Sequence, residues 1–209
     1  MTMDFHRQID VIDMNRMARL PITVIGAGAV GSFAVLALAK SGAENISVYD
    51  DDAVEPHNLP NQWYRLADIG RPKVVALQEL VRDMTGVAIT AHATRFEGQS
   101  ASEVTVCAVD SMDIRIELWQ RLTPRPQLYV DARMGAEVGK VHCVGKFGTW
   151  YDDTLYPSSE ALHAPCTARA TMYCASGLAA FIASQIAQYA SDRPTKQEMT
   201  VDFRNGLMV

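Results

Sequence analysis

The sequence predicts an α/β fold: a doubly wound, mostly parallel sheet with an antiparallel extension and a closing C-terminal helix. Two observations carry this. The first is a β-branched run ending in glycine, Pro21–Gly26, followed by an alanine-rich apolar stretch, Val30–Lys40, and a second apolar run, Ile46–Tyr49. Strand, glycine turn, helix, strand is a βαβ unit of about 30 residues. These strands lack in-and-out alternation, so both sheet faces are covered and the pairing is parallel. The second observation lies beyond residue 136, where Glu137–Gly145 and Lys146–Tyr151 read as strands separated by little more than glycine, which suits a hairpin or meander.

The remaining elements follow in order. Gly42 stands just past the first helix as its C-cap. Asp50–Gln62 is a loop rich in Asp, Asn and Pro. Pro72 suits the first turn of a helix, and Val74, Leu77, Leu80, Val81 and Met84 give Lys73–Thr85 helical spacing, with Gly86 as cap. Val87–His92 and Val104–Val109 read as strands, Asp113–Leu122 as a helix, Leu128–Asp131 as a strand. Asp152–Thr171 has no periodicity; a loop of about 20 residues in a compact domain is usually functional or disordered. A long helix from Tyr173 to Ala190 follows, then a strand Thr200–Arg204 and the hairpin dipeptide Asn205-Gly206.

With 209 residues, 48% hydrophobic and 21% charged, the chain has the balance of a soluble globular protein with a sizeable core. Lys and Arg total 19 against 24 Asp and Glu, which offers nucleic acid no net positive surface. The N-terminal segment mixes acids and bases without a signal-peptide core, and no stretch reaches the roughly 18 apolar residues of a membrane span. The four cysteines form no CxxC pair, so a reduced, cytoplasmic compartment is expected.

Gly26-Ala27-Gly28-Ala29-Val30-Gly31 is a GxGxxG between strand and helix. Its first glycine permits the turn, the second lets backbone approach a phosphate or ribose, and the third lets helix pack on sheet. Asp50 stands about 20 residues on, at the tip of the next strand, where a carboxylate accepts ribose hydroxyls. The fold is therefore expected to be Rossmann-like, with a nucleotide at the strands' carboxyl ends. A glycine turn used for packing alone is the plainer alternative.

The chain after Asp50 is distinctive: Asp50-Asp51-Asp52-Ala53-Val54, then Asn58-Leu59-Pro60-Asn61-Gln62, then Gly70-Arg71-Pro72-Lys73, then a strand ending in Asp110. Together these resemble the ThiF/MoeB/HesA family, the adenylating relatives of ubiquitin-activating enzymes, from about Phe5 to Tyr189. The resemblance implies one adenylation domain over 1–209, with a nucleotide-binding core at about 20–135 and a crossover loop, closing helix and edge strands at about 136–209. It implies ATP and Mg2+ as cofactors. Gly26, Gly28, Gly31, Asp50 and Asp52 would surround the nucleotide, with Asp50 on the ribose; Asn58, Asn61, Gln62 and Lys73 would line the phosphates; Asp110 would hold magnesium; Arg7, in Phe5-His6-Arg7-Gln8, would reach a partner subunit's ATP and make a homodimer. Asp50–Asp52 as a solvated loop, Lys73 and Arg7 as surface residues, and Asp110 as a helix cap stand beside these roles.

Two departures stand out. Asn61 occupies the position of a family arginine, and an amide cannot reproduce a bidentate phosphate grip; either Arg65 or Arg71 substitutes from nearby, or phosphate binding is weaker. The CxxC pairs that bind structural zinc in many relatives are missing, so zinc is not expected. Cys166, in Pro165-Cys166-Thr167, falls where the family places a reactive cysteine; Arg169 nearby favours a thiolate. A buried structural thiol is the alternative there, while Cys107, Cys143 and Cys174 read as core and His57 as a loop residue.

The resemblance thus implies ATP-dependent adenylation of the C-terminal carboxylate of a ubiquitin-like or sulfur-carrier protein or peptide, with possible transfer to Cys166. The alternatives are a degenerate scaffold of the same fold that binds nucleotide or partner, and an NAD-dependent oxidoreductase. No nucleic-acid or membrane partner is expected.

Overall fold

The computed structural model describes residues 3–98, 101–160 and 170–209. Eight strands form one sheet in the order β3-β2-β1-β4-β5-β6-β7-β8. The strands β1 (Ile22–Ile25), β2 (Ile46–Tyr49), β3 (Thr90–His92), β4 (Val104–Cys107) and β5 (Leu128–Gly135) pair in parallel; β6 (Val138–Gly145), β7 (Glu198–Asp202) and β8 (Leu207–Met208) continue antiparallel. This is the doubly wound α/β arrangement with an antiparallel extension that the sequence predicts.

The pleat divides the apolar strand residues between two faces. Val24, Val106, Val130 and Cys143 join one cluster with residues of α2 (Ala29–Lys40), α3 (Lys73–Thr85) and α5 (Met172–Ala190). Ile25, Cys107, Tyr129 and Val144 join a second with Leu118 and Trp119 of α4 (Met112–Arg121), and with Tyr151. The closing helix α5 packs beside α2, and both are rich in alanine there.

Two elements differ from expectation. A short helix, α1 (Met14–Arg19), precedes β1; Asp13 caps it by accepting from the Arg16 N–H. Six residues carry no readable period, and Met17 alone is buried. The hairpin lies one element earlier than expected: β5 runs on to Gly135 and turns back into β6 through Ala136, whose φ is 55°. The expected strand Lys146–Tyr151 is instead a turn and a 3-10 helix, Trp150–Thr154. Tyr151 faces inward from that turn against Trp119 and Tyr129, with ring centroids 4.7 and 5.5 Å away. Aromatic burial on α4 thus overrides strand propensity. The Asn205-Gly206 turn joins β7 to β8 as expected, with Gly206 at φ 65°.

His142, on β6 opposite Asp131, gives the fold an acid sensitivity. It is 1% exposed, and neither ring nitrogen has a hydrogen-bond partner in the described structure; Glu198 Oε2 lies 3.3 Å from Nδ1 without hydrogen-bond alignment. Burial, reinforced by the Arg133 charge, pushes its pKa down to about 4 despite Glu198. The unfolded chain therefore binds the proton first as pH falls below the usual histidine range. Stability is expected to drop by roughly 3 kcal/mol between pH 7 and pH 4 from this group alone. Denaturant midpoints across that range should show the slope, and His142→Leu should flatten it above pH 5, where the depressed carboxylates Glu198 and Asp68 still hold their charge.

Candidate functional site

The site lies at the carboxyl ends of the parallel strands. Gly26 takes φ 97°, and a Cβ there would meet Ala108 O at 2.8 Å; one at Gly31 would lie 1.9 Å from Gly26 O. Both glycines are demanded by packing. Gly28 differs: a Cβ there would meet nothing within 4 Å, and the residue caps α2 without a side-chain partner. It leaves open space in front of free helix N–H groups, which suits a phosphate or ribose.

Asp50 follows β2 directly and braces this loop. Its Oδ2 accepts from Ala27 N–H at 2.6 Å and its Oδ1 from Asp52 N–H at 2.9 Å. Each oxygen keeps acceptor capacity for a hydroxyl. Burial raises its pKa, against the two backbone donors. Tyr64 donates its hydroxyl to Ala27 O at 2.6 Å, and Trp63 N–H donates to Ser32 Oγ at 3.0 Å. These clasps tie the segment after Gln62 to the start of α2. Each of these bonds has a main-chain group as one partner, more than 30 residues away in sequence, so no motif would have revealed them.

Lys73 is the first residue of α3, and its side chain is 7% exposed. Its Nζ meets Asp52 Oδ2 at 2.7 Å, and its N–H donates to Asp52 O at 2.9 Å. Asp52, Asn58 and Lys73, with Ala53, Glu55 and His57, line a pocket of about 120 Å3. Asn58 Oδ1 is committed to Glu55 N–H at 2.8 Å. His57 sits on the rim with its Nδ1 3.1 Å from Glu55. Asn61 and Gln62 follow on the turn whose N–H groups bond to Asn58 O, and their amide oxygens are buried without partners.

Arg65 and Arg71, the cations nearest in sequence to Asn61, are both ion-paired. Both grip the buried Asp68 at 3.0 Å, and both reach Glu79, at 3.3 and 2.5 Å. The two guanidiniums hold Asp68 below the usual carboxylate range. This network engages both cations with the carboxylates of Asp68 and Glu79.

Asp50, Asp51 and Asp52 bring carboxylate oxygens within 4.8 Å of one another; Asp110 is not part of that group. The three are already engaged, Asp50 by backbone, Asp51 by Arg95 at 2.9 Å and Asp52 by Lys73. Asp110, just past β4, is exposed and has no hydrogen-bond partner among the described residues. A free hard oxygen ligand beside the glycine loop fits Mg2+ better than the engaged cluster does. No cysteine or histidine group suited to zinc occurs among the described residues.

Arg7 is exposed and lies far from this site. Its neighbour Gln8 bonds to Lys40 O at the far end of α2, a helix about 18 Å long. Cys107, Cys143 and Cys174 are buried, as expected. Cys166 lies outside the described residues.

The family profile described as "ThiF family" matches residues 4–205. The chain belongs to the ThiF family. It is 35% identical over 101 residues to the NEDD8-activating enzyme E1 catalytic subunit of Arabidopsis thaliana, covering 45% of this chain and 22% of that protein. It is 27% identical over 140 residues to the probable molybdopterin-synthase adenylyltransferase of Porphyra purpurea, covering 66% and 35%. It is 28% identical over 107 residues to the sulfur carrier protein adenylyltransferase of Thermus thermophilus, covering 48% and 40%. The chain thus spans less than half the length of these curated relatives. Among solved structures, E. coli MccB with ATP superposes with a TM-score of 0.74 at 13% identity, over 94% of this ThiF-family chain and 64% of that one. PaaA superposes with a TM-score of 0.76 at 14% identity, over 94% and 64%. These likenesses establish the fold. No helix among the described residues is long and apolar enough to cross a membrane.

Proposed function

We propose that this ThiF-family chain is a single adenylation domain that activates the C-terminal carboxylate of a small ubiquitin-like or sulfur-carrier protein, or of a peptide. The observation that carries the reading is the pairing of an open Gly28 loop with Lys73 fixed at the head of α3 on the same strand ends. In the reaction a carboxylate oxygen attacks the α-phosphorus of ATP, and the bond to pyrophosphate breaks. Asp50 orients the ribose. Lys73 exchanges its ion pair with Asp52 for the phosphates. Gly28 leaves room for them at the N–H groups of α2. Mg2+ held by Asp110 would supply further charge neutralisation. Asn58, Asn61 and Gln62 contribute amide contacts in place of a guanidinium.

Arg7, on the segment beside the far end of α2, would serve another protomer's nucleotide, with a homodimer as the working unit. In the further step of the scheme the Cys166 thiolate attacks the acyl carbon of the adenylate, a thioester forms and AMP leaves. Both belong to the proposal, as does a cytoplasmic location.

The test is pyrophosphate exchange with ATP–Mg, using a panel of sulfur-carrier proteins and peptides with free C-terminal carboxylates, followed by intact-mass measurement. Exchange with at least one acceptor, and an adduct on Cys166 that excess thiol removes, are expected. The engaged state of Arg65 and Arg71 favours one second reading, a nucleotide-binding scaffold without turnover. Thermal stabilisation by ATP–Mg with no exchange across the panel would support it, while stabilisation by NAD alone would return the chain to oxidoreductase chemistry.

A further inference from the structure

Arg115, near the start of α4, is 3% exposed. Its Nη1 donates to Asp131 Oδ1 and lies 3.7 Å from Cys107 Sγ. Its Nη2 donates to the carbonyls of Val109 and Ala132, the latter at 2.8 Å. Asp131 is fully buried and accepts further bonds from Arg133 Nε at 2.7 Å and Tyr151 Oη at 2.9 Å. The β4–β5 ladder ends at Cys107 and Asp131. The guanidinium therefore stands where the next rung would be, tying the chain after β4 to β5 beyond the last strand pair. Val109 is the residue before Asp110.

A buried ion pair contributes little net stability over apolar residues of the same shape. What it adds is geometry: a planar fork bonds a carboxylate and two carbonyls at once, which the point charge of a lysine cannot do. We propose that Arg115 is a positioning residue that fixes the Val109 carbonyl against Ala132 of β5 and so aims the Asp110 carboxylate at the nucleotide. The proposal rests on the adenylation reading for its effect on rate, but not for its effect on backbone order.

Arg115→Lys keeps a charge opposite Asp131 and removes the bridge. Hydrogen exchange of the peptide spanning residues 107–115 is expected to quicken about tenfold or more, with α2 and α5 unchanged. With a sulfur-carrier protein as probe, kcat for pyrophosphate exchange is expected to fall about 100-fold while the KM for ATP stays within about threefold. In an Asp110→Asn background the same substitution should cost less than about threefold, because Arg115 acts through Asp110. An equal loss in both backgrounds, or unchanged hydrogen exchange at 107–115, overturns the proposal. A wild-type chain that exchanges no pyrophosphate overturns the adenylation reading instead, and hydrogen exchange then decides the positioning role. Should Arg115→Lys fail to fold, Arg115→Gln with Asp131→Asn removes the bridge without leaving a lone buried carboxylate, and the same outcomes apply.

Discussion

Lys73→Ala is expected to abolish carboxylate activation while leaving the protein folded. Its ammonium is the cation in a pocket otherwise lined by Asp52, Glu55, Asn58 and the rim residue His57. Removing it deletes a charge-assisted donor to the phosphates and leaves Asp52 uncompensated beside them. Loss of one preorganised donor alone costs about 10²–10³ in rate, and the exposed carboxylate adds like-charge repulsion, so a fall of about 10³-fold or more in pyrophosphate exchange is expected. The fold should notice little. Asp52 is 66% exposed and rehydrates when its partner leaves, so the ion pair itself contributes little stability. Exchange assays and thermal unfolding on the same preparation separate the two effects. Exchange within tenfold of wild type would remove Lys73 from the chemistry, whatever the melting temperature does.

The same residues show what a sequence can reveal. Gly26, Gly31, Asp50 and Lys73 are legible because each answers to a local requirement at fixed spacing: a turn, a close helix, a strand tip, a helix start. The central parallel strands β1, β4 and β5 are legible for a similar reason, since both their faces are buried. The start of α1 and the shift of the hairpin to β5–β6 were not, because Met17 and Tyr151 are placed by partners distant in sequence. Charge fates are hidden in the same way. Arg65 and Arg71 look available to replace the guanidinium missing at Asn61, yet Asp68 and Glu79 engage them both. Arg115 is hidden likewise, because its bridge from Val109 to Ala132 exists only once β4, β5 and α4 are assembled.

The glycine loop allows stability and ligand binding to be pulled apart. At Gly31 a methyl would lie 1.9 Å from the carbonyl oxygen of Gly26. That oxygen cannot retreat, because Gly26 itself is pressed against Ala108 O and holds a φ of 97° that no larger residue takes readily. Gly31→Ala must therefore move α2 off the sheet, at the upper end of overpacking costs, about 3 kcal/mol or more. For a chain of this size that is a drop of roughly 6–12 °C in melting temperature. At Gly28 a methyl would touch nothing within 4 Å, and the backbone, at φ −78° and ψ −146°, lies just outside the extended region, so alanine carries a modest strain there but no clash. Gly28→Ala should cost about 1 kcal/mol, a drop of roughly 2–4 °C in melting temperature and well short of Gly31→Ala. Yet it places a methyl in the open space before the α2 N–H groups, so ATP–Mg should lose most of its stabilising effect. If Gly28→Ala binds ATP–Mg as wild type does, the nucleotide does not enter by this loop; if Gly31→Ala melts with wild type, the helix has a freedom that its contacts with β1 and Ala108 deny.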